Sequence, residues 1–383
     1  MNDFPKEEFA NRISKIQENL EKESLHAIII TSPSNFRYFS GLDSNFWESP
    51  TRPWFLVISQ KNWIKAIVPS IGMNVIEKTL IKDIEVWQSP NPNDEGVTVL
   101  KKIIKSFPKN SNIGFELANE THLRMNIQDF INIREELSDY NFVDASKVIW
   151  NLRKIKSKME IEYISKICSI ASEVFDNFPD KIYSKITERE ATSVFKKELI
   201  NNGADYIMYM ACASGQGGYD QIITNPTKKQ LENGDILIID TGSTLNGYFC
   251  DFDRNFGFGK ISQTSLDAYA KLWEAIESTL EIIKPGINCS EIYSSLSKYL
   301  LPENNNNGSV GRMGHGIGLQ LTEPPSIMQA DQTIIEKNMI ITLEPSIELN
   351  KNQMLVQEEN ILITEDGYKL LSSRTPEKLP IIN

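Results

Sequence analysis

The sequence predicts an α/β domain followed by an α+β domain built from two helix-helix-strand halves. Three observations carry that expectation. Helix-like and strand-like segments alternate up to about residue 143, a long amphipathic stretch then changes the character of the chain, and beyond it a helix pair followed by apolar strands occurs twice.

In order, the first part opens on an amphipathic stretch at about 4–23, followed by the apolar HAIIIT, by WFLVIS and WIKAIVP as paired strands, and by further helices between IGFE and NFVDAS. Near Asp144, LRKIKSKMEIEYISKICSIASEVFDNF reads as one long amphipathic helix, so domains are expected at 1–147 and 148–383. In the second part, one helix is expected at about 157–178 and another from a capping box at Thr187 and Glu190 to Asn201, ahead of DILIIDTG and FCDFDRNF. A second pair, at about 264–283 stopped by Pro285–Gly286 and at about 290–300 capped by Asn288, precedes GRMGHGIGLQ, MIITLEPSI and LVQEENILIT. The low-complexity NNNNG at 304–308 is expected to be an exposed loop. SGQGGYD at 214–220 lacks the GxGxxG spacing and the Lys-Ser/Thr ending of a phosphate-cradling loop, which argues against a nucleotide site.

A chain of 383 residues with 40% hydrophobic and 24% charged residues can build two soluble domains with good cores. Its formal charge of −11 argues against a nucleic-acid or anionic-membrane partner, since phosphate contacts need clustered Lys and Arg. The four cysteines form no CxxC pair, which fits a reducing cytoplasm. No basic start with an apolar core opens the chain and no apolar run approaches membrane-spanning length, so neither a signal peptide nor a transmembrane helix is expected.

Asp240, Asp251, His315, Glu344 and Glu358 each sit in or beside a short apolar stretch punctuated by glycine. Taken singly, each has a bland reading as a turn or strand-end residue. Gathered in one core, four carboxylates and an imidazole would repel one another unless cations lay between them. Gly242 and Gly247 would let the strand carrying Asp251 fold back beside the strand carrying Asp240. Asp253 shares a strand face with Asp251 and is a candidate supporting acid, whereas Arg254 would point to the opposite side.

The set DILIIDTG, with its aspartate eleven residues before that of FCDFDRNF, then GHGIG, TLEPSI and EENILITEDG, resembles the pita-bread metallohydrolase family, which includes methionine aminopeptidase, prolidase, aminopeptidase P and creatinase. The resemblance covers about 150–375, and the first part looks like the creatinase-type domain of prolidase-like members. It implies a creatinase-type N-terminal domain, a pita-bread catalytic domain with pseudo-twofold halves, and a homodimer. By the same resemblance Asp240 would hold one metal ion, His315 and Glu344 the other, and Asp251 and Glu358 would bridge both, with Glu359 the alternative if the register is off by one. Oxygen ligands with a single imidazole suit Mn, and also Zn, Co or Fe. Two ions ~3.5–4 Å apart could activate a bridging water. Glu344 would then shuttle its proton to a leaving amine.

The chain departs from the family pattern at two histidines. The position seven residues after His315 is Thr322, and upstream of Asp240 the region QIITNPTKK places Ile223 or Thr224 where an imidazole would sit. These outer imidazoles are expected, from the family, to contact the peptide and steady the tetrahedral intermediate, and Thr322 or Tyr219 could offer a hydroxyl instead. In SNFWESPTRPWFLVI, Arg52 could bind a substrate carboxylate and Trp47 or Trp54 could cover a cation or ring, with the alternative of a structural aromatic cluster under a loop. The expected activity is metal-dependent hydrolysis of a C–N bond in a dipeptide or peptide-like small molecule, most like an Xaa-Pro aminopeptidase or dipeptidase. Hydrolysis of a compatible solute, as by ectoine hydrolase or creatinase, is the alternative. A dimethylsulfoniopropionate lyase-like enzyme ranks lower because Gly242 stands where a further aspartate is expected, and a binding module ranks lower because all five ligands are kept.

Overall fold

A computed structural model describes residues 4–49, 52–300, 311–350 and 352–382. The NNNNG run at 304–308 lies outside these described residues. Helix α1 (Lys6–Lys22) puts Phe9, Ile13, Ile16 and Leu20 on one buried face, the spacing of an amphipathic helix. Strand β1 (Ala27–Ile30) follows, then α2 (Pro33–Ser40) and the antiparallel pair β2 (Phe55–Ser59) and β3 (Trp63–Pro69). The short α3 (Met73–Ile76), β4 (Ile84–Trp87), α4 (Val97–Ile104), β5 (Asn112–Phe115), α5 (Ile127–Glu136), β6 (Asn141–Asp144) and α6 (Ser146–Arg153) complete the first unit.

Its strands form a six-stranded sheet in the order β4-β3-β2-β1-β5-β6. Every residue of the central β1 is buried, which is why HAIIIT is continuously apolar and not alternating. Helix α6 belongs here: Arg153 donates to the side-chain oxygen of Asn35 in α2 at 2.5 Å. The chain accordingly divides between Arg153 and Lys154, where the sequence reading set the boundary after residue 147. The single long helix expected from LRKIKSKMEIEYIS is in fact two. Ser157 accepts from the Glu160 N–H and the Glu160 carboxylate returns to the Ser157 N–H at 2.9 Å, a capping box that starts a new helix after a break.

The second unit repeats one plan. Helices α7 (Lys158–Asn177) and α8 (Glu188–Asn201) lead into β7 (Tyr206–Gln216), β8 (Asp235–Leu245), β9 (Tyr248–Phe249) and β10 (Phe252–Phe258). Helices α9 (Gln263–Leu280) and α10 (Cys289–Leu300) lead into β11 (His315–Gly316), β12 (Glu323–Ser326), β13 (Ile340–Leu343), the hairpin β14 (Ser346–Asn350) and β15 (Gln353–Val356), β16 (Glu359–Ile363), β17 (Tyr368–Leu370) and β18 (Ile381–Ile382). One sheet runs β18-β10-β8-β7 with β9 attached to β8, and the other runs β12-β11-β13-β16-β17. A shared core joins them: Ile236 and Ile238 of β8, Ile341 and Leu343 of β13, Ile361 and Ile363 of β16, and Leu272 and Ile276 of α9. These are the two helix-helix-strand halves read from the sequence. Among the described residues no helix is long and apolar enough to cross a membrane.

Candidate metal centre

Strand alternation builds the first side of the site. Asp240 continues the row Ile236–Ile238 on β8, so its carboxylate enters the same core as those isoleucines. Asp253 lies directly opposite it on β10. Asp251 stands one residue before β10, and a single side chain holds it there. The Asn360 amide accepts from the Asp251 N–H at 3.0 Å and donates to the Asp251 carbonyl.

The second sheet supplies the rest. Gly314 has φ +138°, and a Cβ there would lie 2.2 Å from the Thr342 carbonyl oxygen, so only glycine lets the chain turn His315 inward. His315 Nδ1 sits 3.0 Å from the Gly316 carbonyl. That contact leaves Nε2 toward the acids, 3.4 Å from Asp251 Oδ2 and 3.9 Å from Glu344 Oε2. The Glu344 N–H donates to the Met313 carbonyl at 2.9 Å, fixing the end of β13 against the histidine segment. Glu358 immediately precedes β16.

Asp251, His315 and Glu358 each offer a ligand atom, all within 4.8 Å of one another. Burial pushes Asp240 up to about 7, and burial with the charge of Asp240 pushes Glu344 up to about 8. Asp251 and Glu358 are raised well above the ordinary carboxylate range by burial and by their acidic neighbours. Asp253 is raised in the same way, which places it in the same acidic field as Asp240 and Glu344. Burial, with the charge of Arg312, pushes His315 down to about 4 and keeps it neutral.

Such a cluster is unfavourable unless cations neutralise it. Among the described residues, Asp240 Oδ1, Asp253 Oδ1 and Glu358 Oε1 are buried without a hydrogen-bond partner, which native interiors avoid. Orphaned carboxylate oxygens around one inward-facing imidazole nitrogen are the donor set a divalent cation takes, so the residues fit the metal that the sequence led us to expect.

Glu359, the alternative ligand, is excluded by its partners. Its carboxylate accepts from Arg254 and Arg374, each at 3.0 Å, and from the N–H and hydroxyl of Thr375. These cations hold it below the ordinary carboxylate range although burial opposes them. Arg254 points away from Asp253, as the strand alternation predicted.

Tyr219, read as a substrate-binding residue, is corrected by the structure. It is 1% exposed, its hydroxyl donates to Asn255 Oδ1 at 3.0 Å and accepts from the Val356 N–H at 2.7 Å. Close approach in the SGQGG turn, where a Cβ on Gly215 would lie 2.2 Å from the Gly218 carbonyl oxygen, drives the ring inward. Trp47 sits in the structural aromatic cluster that was the alternative reading. Its ring meets Phe36 and Trp54 at 5.4 Å, and the guanidinium of Arg124 stands 5.1 Å over it. Trp54 is 2% exposed within the same cluster. Arg52 has φ +63°, donates its N–H to Glu95 Oε1 at 3.1 Å and carries its guanidinium 5.5 Å from the Phe46 ring centre. Thr322 is half-buried, and its hydroxyl accepts from Arg312 Nη2 at 3.1 Å.

Three neighbours of the centre escaped sequence reasoning: Asn360, Arg312, and Tyr209, whose hydroxyl bonds to Asp240. Tyr209 is raised above the ordinary phenol range by burial and by that acid. Arg312 alone carried a signal, lying three residues before His315 within GRMGHG.

Comparison with known proteins bears on the same residues. Residues 162–365 match the model of metallopeptidase family M24, and residues 12–155 match the creatinase/prolidase N-terminal domain. The chain is similar to an Xaa-Pro dipeptidase of Pyrococcus furiosus, 26% identical over 374 residues and covering 96% of this chain and 99% of that one. Among solved structures, the prolidase from Pyrococcus horikoshii aligns with TM-score 0.81 at 25% identity, over 96% of this chain and all of the other. The prolidase from Thermococcus sibiricus aligns with TM-score 0.87 at 23% identity over 97% and 99% of the two chains. The fold is therefore a creatinase-type N-terminal domain ahead of a pita-bread catalytic domain, and the chain belongs to metallopeptidase family M24.

Proposed function

We propose that this protein is a metal-dependent dipeptidase that hydrolyses Xaa-Pro dipeptides. The convergence of Asp251, His315 and Glu358, with the unpartnered oxygens of Asp240 and Glu358, is the observation that carries the reading. In it, Asp240 would help hold one divalent ion and His315 and Glu344 the other, with the carboxylates of Asp251 and Glu358 serving both. When bound, the ions supply a hydroxide at neutral pH and polarise the scissile carbonyl. The oxygen-rich set suits Mn first, with Zn, Co and Fe as competitors.

The chain's own residues do the remaining work. His315 stays neutral and presents Nε2, its tautomer set by the Gly316 carbonyl. Asn360 holds Asp251 at its backbone. Glu344, at 23% side-chain exposure, is more open than His315 or Asp251, so it takes the proton of the attacking water and returns it to the leaving nitrogen. Arg52 is the candidate clamp for a substrate carboxylate. A homodimer in the cytoplasm completes the reading, and four free, buried cysteines fit a reducing compartment.

The test is metal content of the purified protein together with hydrolysis of Xaa-Pro dipeptides, ectoine and creatine, with and without added Mn. Two equivalents of metal and Xaa-Pro cleavage are expected. Bound metal with turnover of ectoine or creatine alone would replace the dipeptidase reading with a small-solute hydrolase. Asp251→Ala should abolish metal binding at both positions and all turnover, since a bridging carboxylate serves both ions; full activity in that variant would refute the ligand assignment.

A further inference from the structure

Strands β10 and β16 belong to different sheets, and the residue before each carries one of the two carboxylates that would serve both ions, Asp251 and Glu358. We propose that Arg254, together with Asn360, is a positioning residue that sets the spacing of these two carboxylates. This deepens the dipeptidase reading and rests on its ligand assignment.

Two side-chain bridges cross from one segment to the other. The Asn360 amide accepts from the Asp251 N–H at 3.0 Å and donates to the Asp251 carbonyl. Arg254 makes the second bridge: its Nη1 donates to the Asp253 carbonyl at 2.6 Å and to the Glu358 carbonyl at 2.8 Å. Residue 251 is thus tied to residue 360, and residue 253 to residue 358. Two steps forward along one segment are two steps back along the other, the approach of antiparallel chains, with side chains in place of the backbone ladder. Asp251 and Glu358 occupy diagonal corners of this four-residue frame, and their ligand atoms come within 4.8 Å of each other.

Arg254 acts from behind the acids. Strand alternation sends its side chain away from that of Asp253, and its surroundings hold the guanidinium in one plane. Nη2 donates to Glu359 Oε2 at 3.0 Å and to the Ser373 carbonyl, and the Phe252 ring centre lies 4.9 Å from the guanidinium carbon. The side chain is 6% exposed and these four bonds all run to the chain itself, so Arg254 acts on the reaction through the ligands it places and not by touching substrate. A rigid arginine fork supplies the four bonds from one plane, whereas a lysine keeps the charge but ends in a single ammonium on a flexible stem.

The ion pair and the clamp on the two carbonyls are separable by substitution. Glu359→Gln removes the counter-charge of Arg254 but keeps an acceptor oxygen beside it and leaves the Asp253 and Glu358 carbonyls in place, so the frame survives. Arg254→Lys does the reverse: it keeps a cation for Glu359 and breaks the bridge between residues 253 and 358. A purely structural arginine would make both changes costly in the same measurements. A positioning arginine makes them costly in different ones.

The experiment measures calorimetric Mn binding, thermal unfolding and Xaa-Pro turnover in wild type, Arg254→Lys, Glu359→Gln and Asn360→Leu. Arg254→Lys is expected to weaken Mn binding about 10- to 100-fold, the range for groups that orient metal ligands, and to lower kcat by a similar factor with KM little changed. Asn360→Leu, which cuts the other bridge, should fall in the same range and decides the matter where Arg254→Lys does not fold. Glu359→Gln should lose thermal stability and keep the Mn affinity of wild type. Unchanged Mn affinity in Arg254→Lys or in Asn360→Leu would overturn the proposal, as would a loss of Mn affinity in Glu359→Gln equal to that in Arg254→Lys. Wild type that binds Mn, with the expected losses in the variants, but cleaves no Xaa-Pro dipeptide would overturn the dipeptidase reading and support the positioning role.

Discussion

Glu358 and Glu359 are adjacent in the chain and face opposite electrostatic environments. Glu358 enters the acid cluster with one oxygen unpartnered, whereas Glu359 is enclosed by Arg254, Arg374, Ser372 and Thr375. The strand supplies the difference: neighbouring residues point to opposite faces. Glu359 is thus a structural anion. Glu359→Gln should remove the counter-charge of the buried Arg254 and leave Arg374 with Glu277, and lower stability on the order of 3 kcal/mol, by chemical denaturation. Unaltered stability with lost metal binding would instead make Glu359 a ligand.

Tyr219 ties the two halves of the second unit together. Its hydroxyl spans Asn255 on β10 and the Val356 N–H on β15. Tyr219→Phe leaves a buried N–H and a buried amide oxygen short of a partner, and a loss of about 1–3 kcal/mol is expected. The Michaelis constant for Xaa-Pro substrates should not move. A raised Michaelis constant with unchanged stability would return Tyr219 to the substrate site.

The five clustered residues were legible because each ends or borders an apolar strand, and a strand's alternation carries the side chain inward with its apolar neighbours, as Ile236 and Ile238 do for Asp240. What was illegible depends on long-range register. Asn360 reaches Asp251 across 109 residues, and no local pattern announces that an amide will bond to both backbone groups of a distant aspartate. Tyr209 meets Asp240 diagonally across the β7–β8 pairing, where Tyr209 stands opposite Gly242 and Ala211 opposite Asp240, a register set between segments about thirty residues apart. Tyr219 was offered as a hydroxyl for the substrate, but its partners, Asn255 Oδ1 and the Val356 N–H, lie 36 and 137 residues away and no local pattern announces them. Of the two readings open for Trp47, the structure shows the aromatic cluster, and Arg124, which stands over the ring, lies too far along the chain to be read from local pattern.

Arg52 combines a left-handed backbone with a guanidinium set against the Phe46 ring. Arg52→Ala should raise the Michaelis constant for substrates bearing a free carboxylate about tenfold, the cost of one charge-assisted contact, with kcat nearly unchanged. Dipeptide amides, which lack that charge, serve as the control and should be insensitive. Equal effects on acids and amides would remove the clamp.

The acid cluster links metal binding to pH with a definite sign. Asp240 is raised to about 7 and Glu344 to about 8, so between their ordinary values near 4 and these the metal-free folded state holds more protons than the unfolded chain. Their contribution to stability is full below about pH 4 and is lost as pH rises through 7 and 8, and Asp251 and Glu358 act in the same direction. His315, lowered to about 4 from 6.5, acts oppositely but only below pH 6.5. The window from pH 6.5 to 8.5 therefore isolates the carboxylates. Across it, the metal-free protein should lose thermal stability while the Mn-loaded protein holds or gains, because the cation binds the ionised acids and replaces their protons. The stabilisation by Mn, read as a shift in Tm, should grow steadily from pH 6.5 to 8.5, and calorimetry in buffers of different ionisation enthalpy should show protons released on binding near pH 6.5. A Tm shift independent of pH, with no proton release, would mean that the carboxylates are already ionised before the metal arrives.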